Sequence, residues 1–327
     1  MARMIGAGTT RSRIRGLVSL VIGALVLAAT VATVGGAPFL RALHAIDPVD
    51  VTAALLLGAA ATAAAAWRWR TVAAGVGVPL EWTTAASEYY RSQFVNSVLP
   101  GGVLGDVDRV YRHATASARG GDAARAVVLE RSAGQIVQLA VTAIALSVLG
   151  AASSLPDLGW AVGGFVALAV LAVAAVCTRA GGRRMLRREL GVMAQVFGAP
   201  RAGLRIAVAS VVVFAAHVAT FVIAGIAVGV HGDARELIAL ALVALTAGAI
   251  PVNVGGWGPR EASAVLFASS LGLGGGTGAA ASAAFGALGL VAVLPGAVIS
   301  LSVRASSARH TLSGGGSGRS LQRKELA

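Results

Sequence analysis

Apolar runs long enough to cross a hydrocarbon layer recur along most of this chain, and no other feature restricts its fold so strongly. They lie at 17–36, 49–67, 127–150, 158–178, 205–230, 236–250, 261–273 and 278–303. An α-helix needs about 20 apolar residues to span about 30 Å of lipid, and most of these runs come close to that length. Inside lipid every backbone polar group must bond within the chain, which leaves only helices and closed barrels. Continuous runs, instead of short alternating segments, rule out the barrel. Only 13% of residues are charged, against about a quarter in soluble domains. The expected fold is therefore all-α, a polytopic transmembrane bundle of about eight spans.

The charge that remains is lopsided, with 27 Lys and Arg against 14 Asp and Glu and a net charge of +13. In a soluble chain that excess would point to nucleic acid. Here it is concentrated in short segments between the runs, where it orients the spans and meets anionic headgroups. No nucleic-acid partner is expected. Arginines cluster before the first run, after the second, before the third, between the fourth and fifth, and after the last. The intervening connections 37–48, 151–157 and 231–235 hold at most one each. The positive-inside rule then gives a multi-pass cell-membrane protein with both termini cytoplasmic. The Trp67-Arg68-Trp69-Arg70 stretch reads as an interfacial anchor at the end of the second span. The chain divides into a basic cytoplasmic start at 1–16, an integral membrane domain at 17–303 and a disordered basic tail at 304–327. Gly181–Pro200 is basic and partly amphipathic, suiting either a helix on the leaflet surface or a solvated loop. A single cysteine and five scattered histidines indicate no metal site, and no cofactor is expected.

Two segments break the pattern. Trp82–Leu99 carries Glu88, Tyr89, Tyr90, Arg91, Gln93 and Asn96 before stopping at Pro100-Gly101-Gly102. Ala249–Ser263 interrupts what would otherwise be two joined apolar helices. Both show the same order of features. The first reads Asn96, Pro100, Gly101-Gly102, Gly105-Asp106, Arg109, and the second Pro251, Asn253, Gly255-Gly256, Gly258, Arg260-Glu261. This suggests two re-entrant or broken-helix elements and an internal repeat, with 81–150 and about 233–303 as its halves.

Irregular backbone at membrane depth is tolerated only inside protein or beside a watery cavity, and charges there face such a cavity or one another. Asp106, Arg109 and His113 share one helix face. Arg109 and Arg260 are the candidates to hold an anionic headgroup, because a guanidinium binds phosphate bidentately. Asp106 and Glu261 would orient them. Glu130, Gly134 and Gln138 form one stripe of the third span, and Arg131 and Gln135 an adjoining one. They face the same cavity or, for Glu130 and Arg131, form an ion pair at a helix end. His217 suits a helix–helix hydrogen bond, and Gly286, Gly289 and Ala292 suit packing contacts.

The stretches "YYRSQFVNSVLPGGVLGDVDRVYR", "ERSAGQ" and "PVNVGGWGPREAS", in that order, resemble the lysylphosphatidylglycerol synthase transmembrane-region family, also called flippase-like. The resemblance covers about residues 15–303. One departure is Leu104 of Leu104-Gly105-Asp106, where the family's first motif carries glycine, and it bears on the turn or the headgroup fit. The resemblance implies a helical bundle that binds or translocates a lipid with a polar headgroup. In multidomain relatives this region precedes a soluble aminoacyl-transferase domain, and the short stretch after the last span here leads us to expect none in this protein. The leading expectation is a lipid flippase or lipid-binding transporter that is not an enzyme. Its headgroup would be a phospholipid, an aminoacyl-phospholipid or a polyprenyl-phosphate-linked glycolipid. Anionic membrane lipids are the expected partners, with a separate lipid-modifying enzyme as a further candidate. The alternatives are a prenyl-phosphate-dependent glycosyltransferase using Asp106 or Asp108, and an accessory subunit of a cell-envelope lipid synthase.

Overall fold

A computed structural model describes residues 44–99, 102–149, 180–250 and 258–300, together with Leu40 and Ala42. The described chain is all-helical and contains no strand. Its helices are α1 (Pro48–Val76), α2 (Trp82–Val98), α3 (Leu104–Ser117), α4 (Gly120–Val148), α5 (Ala180–Gly198), α6 (Pro200–Ala227), α7 (Ala234–Gly248), α8 (Pro259–Ser270) and α9 (Gly275–Ala292).

Four helices among the described residues are long and apolar enough to cross a membrane: α1, α4, α6 and the Gly275–Ser300 stretch that contains α9. The expected spans at 17–36 and 158–178 lie outside the described residues. The runs at 236–250 and 261–273 form α7 and α8, of 15 and 12 residues. At 1.5 Å per residue these reach only about 22 and 18 Å, short of a full crossing.

Local chemistry sets the helix limits. Asp47 caps α1 by accepting from Val49 and Asp50 amides at 2.8 and 2.9 Å, with Pro48 at the first helical position. Asp233 and Glu236 form a reciprocal capping box at the start of α7. α1 runs on through Trp67–Arg70 to Val76 and stops only at Gly77, which takes the left-handed conformation. The expected interfacial anchor is thereby corrected. Arg68 and Trp69 lie inside the helix and are buried, while Trp67 is exposed. The chain does not leave the helix until two turns later, so both side chains point into the bundle.

α1 and α6 form the most extensive helix pair, and α9 packs on both. The pair α2–α3 attaches through α1 and α4; α7 and α8 attach through α6 and α9. Phe221, Leu240, Leu288 and Phe267 anchor the larger apolar core between α6, α7, α8 and α9. Gly181–Pro200 folds as a helix. The described side chains of α5 include Val192, Met193, Val196 and Phe197, which pack on Val72, Leu129 and Ile206. Arg125 of α4 clamps Glu189 of α5 with two bonds of 2.7 and 2.9 Å.

A helix followed by a shorter helix and then a longer one occurs twice among the described residues, as α2–α3–α4 and as α7–α8–α9. α3 is inverted relative to a helix of a water-soluble protein. Asp106, Arg109 and His113 are buried, while Leu104, Val107 and Tyr111, three and four residues apart, are exposed. Among the described residues no apolar side chain covers that stripe, which suits a face turned to hydrocarbon.

Candidate functional site

The site begins with a carboxylate placed where no water reaches. Glu130 of α4 is 0% exposed. Burying a charge is tolerated only with opposite charge and hydrogen bonds around it, and four donors supply them. Arg68 gives Nε at 2.9 Å and Nη2 at 2.5 Å to Oε1, and the Tyr89 hydroxyl donates to the same oxygen at 3.0 Å. Arg109 Nη2 donates to Oε2 at 3.1 Å.

Arg109 is 1% exposed and joins Glu130 to Asp106, whose Oδ1 it meets at 3.0 Å. Its guanidinium carbon sits 4.5 Å from the Trp69 ring centre and 4.4 Å from that of Tyr89. Between two rings and two carboxylates the charge is well held. Asp106 also accepts from Ser92 at 3.2 Å and Asn96 Nδ2 at 3.3 Å, and pairs with Arg131 at 2.5 Å. Asn96 turns its own oxygen to the Gly105 amide at 2.7 Å, near the start of α3. Three guanidinium groups thus share two carboxylates. His113 donates from Nε2 to the Val78 carbonyl at 3.1 Å and meets Trp69 edge-on, tying α3 to the end of α1.

A second cluster sits at the start of α8. Gly258 has φ +126°, a conformation open to glycine and strained for other residues. Its amide donates to Glu261 Oε2 at 2.6 Å, and Pro259 follows at the first helical position. Glu261 is 0% exposed and accepts on Oε1 from Arg260 Nε and Nη2 at 2.9 and 2.6 Å and from Ser282 at 3.0 Å. The Arg260 guanidinium lies 5.0 Å from the Phe285 ring centre.

Between the clusters lies a cavity of about 690 Å³, within the range of small-molecule sites. Arg68, Arg131 and Arg260, from α1, α4 and α8, reach its wall. Gln93, Asn96, Gln135, Gln138, Ser97 and Ser210 add neutral hydrogen-bonding groups. Tyr89, Phe214, Phe285 and Leu245 supply apolar wall. Room for Arg68 depends on Gly134, where an added Cβ would lie 2.8 Å from its Nη1.

The predicted residues divide accordingly. Asn96, Gly102, Arg131 and Arg260 line the cavity. Arg109, Asp106, Glu130, Glu261 and Gly105 are not part of its wall and hold the groups that are. Gly101, Asn253, Gly255 and Gly256 lie outside the described residues. Glu130 and Arg131 do not pair with each other; Glu130 bonds Arg68 and Arg109, and Arg131 bonds Asp106. Asp106 and Asp108 are both engaged, Asp108 by Arg91 at 2.8 Å. Among the described residues no group of three or more His, Cys, Asp or Glu could hold a metal ion. His217 bonds the Val213 carbonyl of its own helix at 2.6 Å, not a neighbouring helix, and its ring reaches the cavity. Gly289 opens onto the cavity, whereas Ala292 packs against α1 at Gly58. Leu104, where the first motif departs from the resembling family, is 38% exposed and off the cavity wall.

Sequence reasoning missed Arg68, Trp69, Tyr89, Gln93 and Ser210. Gly77 as a helix-ending glycine was the available signal for the first two, since it extends α1 past Arg68. For Tyr89 and Gln93 it was their spacing with Asn96, at four and three residues along one face of α2.

Comparison with curated proteins and with solved structures returned no match. The motifs that frame the two clusters nevertheless fall within one family. The model described as lysylphosphatidylglycerol synthase TM region matches residues 16–296, and the chain belongs to that family of membrane proteins of lipid metabolism.

Proposed function

We propose that this protein binds the phosphate-bearing headgroup of a membrane lipid in its central cavity and carries it across the bilayer, without covalent chemistry. The observation that carries this reading is the convergence of Arg68, Arg131 and Arg260 on one cavity from three helices. Each is anchored by a carboxylate, Arg68 by Glu130, Arg131 by Asp106 and Arg260 by Glu261. Guanidinium groups fixed by a second layer of hydrogen bonds lose little freedom when they engage a phosphate. The apolar stripe Leu104–Val107–Tyr111 supports placing α2 and α3 within the membrane, beside the acyl chains of a bound lipid.

The test is translocation of fluorescent phospholipid or polyprenyl-linked lipid by the full chain in vesicles. Labelled lipid should become protected from, or exposed to, a membrane-impermeant quencher faster than in protein-free vesicles. Arg260→Ala should abolish this while leaving the protein inserted. Rates equal to empty vesicles for every lipid tried would remove the basis of the proposal, and a fully active Arg260→Ala would remove the site.

A further inference from the structure

The cavity wall is one-sided in charge. Its ionised groups among the described residues are Arg68, Arg131 and Arg260, and no Asp or Glu side chain lines it. The nearby carboxylates are already committed. Glu130 accepts from Arg68, Arg109 and Tyr89, and Glu261 from Arg260, Ser282 and the Gly258 amide. Asp106 is shared by Arg109 and Arg131.

An ammonium group can also be held by aromatic faces. Of the wall's Phe and Tyr rings, Phe285 and Tyr89 already carry the protein's own guanidinium groups, Arg260 at 5.0 Å and Arg109 at 4.4 Å, which leaves Phe214 as a single face, too little for an aromatic cage. Around Asp106 and Glu130 three cations face two anions, leaving one positive charge uncompensated. The remaining polar wall holds His217, the hydroxyls of Ser97 and Ser210 and four carboxamides. Among the described residues Asn96 is bonded through both amide atoms, Gln93 and Gln138 keep one amide atom each for a ligand, and Gln135 keeps both. Carboxamides and hydroxyls both donate and accept, which matches the hydroxyls of a polyol or sugar.

We infer that the cavity selects a lipid phosphodiester whose headgroup ends in an uncharged polyol or sugar, and that it discriminates against headgroups carrying an amine. This rests on the lipid-binding reading above and narrows it, removing aminoacyl-phospholipids from the expected substrates. Two unit charges about 7 Å apart, at an effective dielectric constant of about 20, repel strongly enough to weaken binding by roughly tenfold or more. An amine in the cavity meets the one uncompensated positive charge, and every carboxylate near the wall already holds an arginine.

The experiment is competition for fluorescent phosphatidylglycerol bound to the full chain in detergent micelles. The competitors are unlabelled phosphatidylglycerol, lysyl-phosphatidylglycerol, phosphatidylethanolamine and a polyprenyl-phosphate sugar. Phosphatidylglycerol or the polyprenyl sugar should displace the probe, and whichever is stronger names the source of the headgroup. Lysyl-phosphatidylglycerol should be weaker than the better of these by about tenfold or more. Equal or tighter binding of the lysyl ester overturns the inference while leaving lipid binding intact. Failure of every lipid to bind overturns both. Gln135→Glu, which puts a carboxylate on the wall at a side chain that bonds no other side chain among the described residues, should shrink the gap severalfold. An unchanged gap in a folded Gln135→Glu protein would show that the cavity is not where discrimination arises. If that variant does not fold, the wild-type competition decides by itself.

Discussion

Replacing Glu130 with glutamine is the most informative single perturbation of this fold. The side chain is almost unchanged in shape, but the carboxylate shared by Arg68 and Arg109 is lost. Four donors converge on it at 2.5–3.1 Å. The glutamine can keep an oxygen toward Arg68 and Tyr89. Its NH2 group must then face Arg109 Nη2, donor against donor, at a position with no access to water. Breaking a buried ion pair by removing one partner costs about 3–5 kcal/mol, because the other charge stays buried and uncompensated. At about 2 °C per kcal/mol for a chain of this size, the melting temperature should fall by about 6–10 °C.

Thermal unfolding of purified protein in detergent, followed by tryptophan fluorescence, measures this directly. Trp69 stacks on Arg109 and reports on the site itself. Glu130→Gln made in an Arg109→Gln background should cost less than in the wild type, since the donor clash with Arg109 Nη2 is then gone although Arg68 still loses its carboxylate. A melting temperature within 1–2 °C of wild type for the single variant would refute the reasoning. It would mean that Arg68 and Arg109 find solvent or other partners, and that Glu130 is not the keystone of the buried network.

Further outcomes follow from the same geometry. At Gly105 an added Cβ would collide with the Ser92 backbone carbonyl, which cannot rotate away as a side chain could. Gly105→Ala should therefore destabilise by about 1–3 kcal/mol, read in the same unfolding assay. Leu104→Gly, which restores the family's usual residue, should leave lipid preference in the competition assay unchanged, because Leu104 is off the cavity wall. The hydrogen bonds from Arg125 hold the Glu189 carboxyl below its ordinary range. Its contribution is then full above the unfolded carboxylate value of about 4.3 and is lost as pH falls through the lower folded value. Protection of the α5 amides, taken relative to the intrinsic exchange rate at each pH, should fall as pH drops below the unfolded carboxylate value of about 4.3, and Glu189→Gln should remove that dependence.

The sequence by itself determined the solvent this chain lives in, and most of its helices follow from that. Continuous apolar runs cannot be satisfied in water, so α1, α4, α6 and the stretch containing α9 fall where hydropathy puts them. The ends of α2 at Val98 and of α7 at Gly248 were also legible, because proline and paired glycines end helices whatever surrounds them. So was the pairing of Asp106 with Arg109, which one helical turn brings together.

Which arginine faces the cavity was a different matter. Arg109 and Arg68 have the same chemistry, and local spacing treats both as charges near the end of an apolar run. Only the tertiary packing places Glu130, 62 residues along the chain from Arg68, against both of them. It sends Arg109 between Trp69 and Tyr89 and leaves Arg68 and Arg131 at the wall. A buried charge is stable only where its partners are, and those partners come from other helices. Periodicity and spacing describe one helix at a time. The division between arginines that hold the structure and arginines that meet the ligand is therefore decided by the assembled fold.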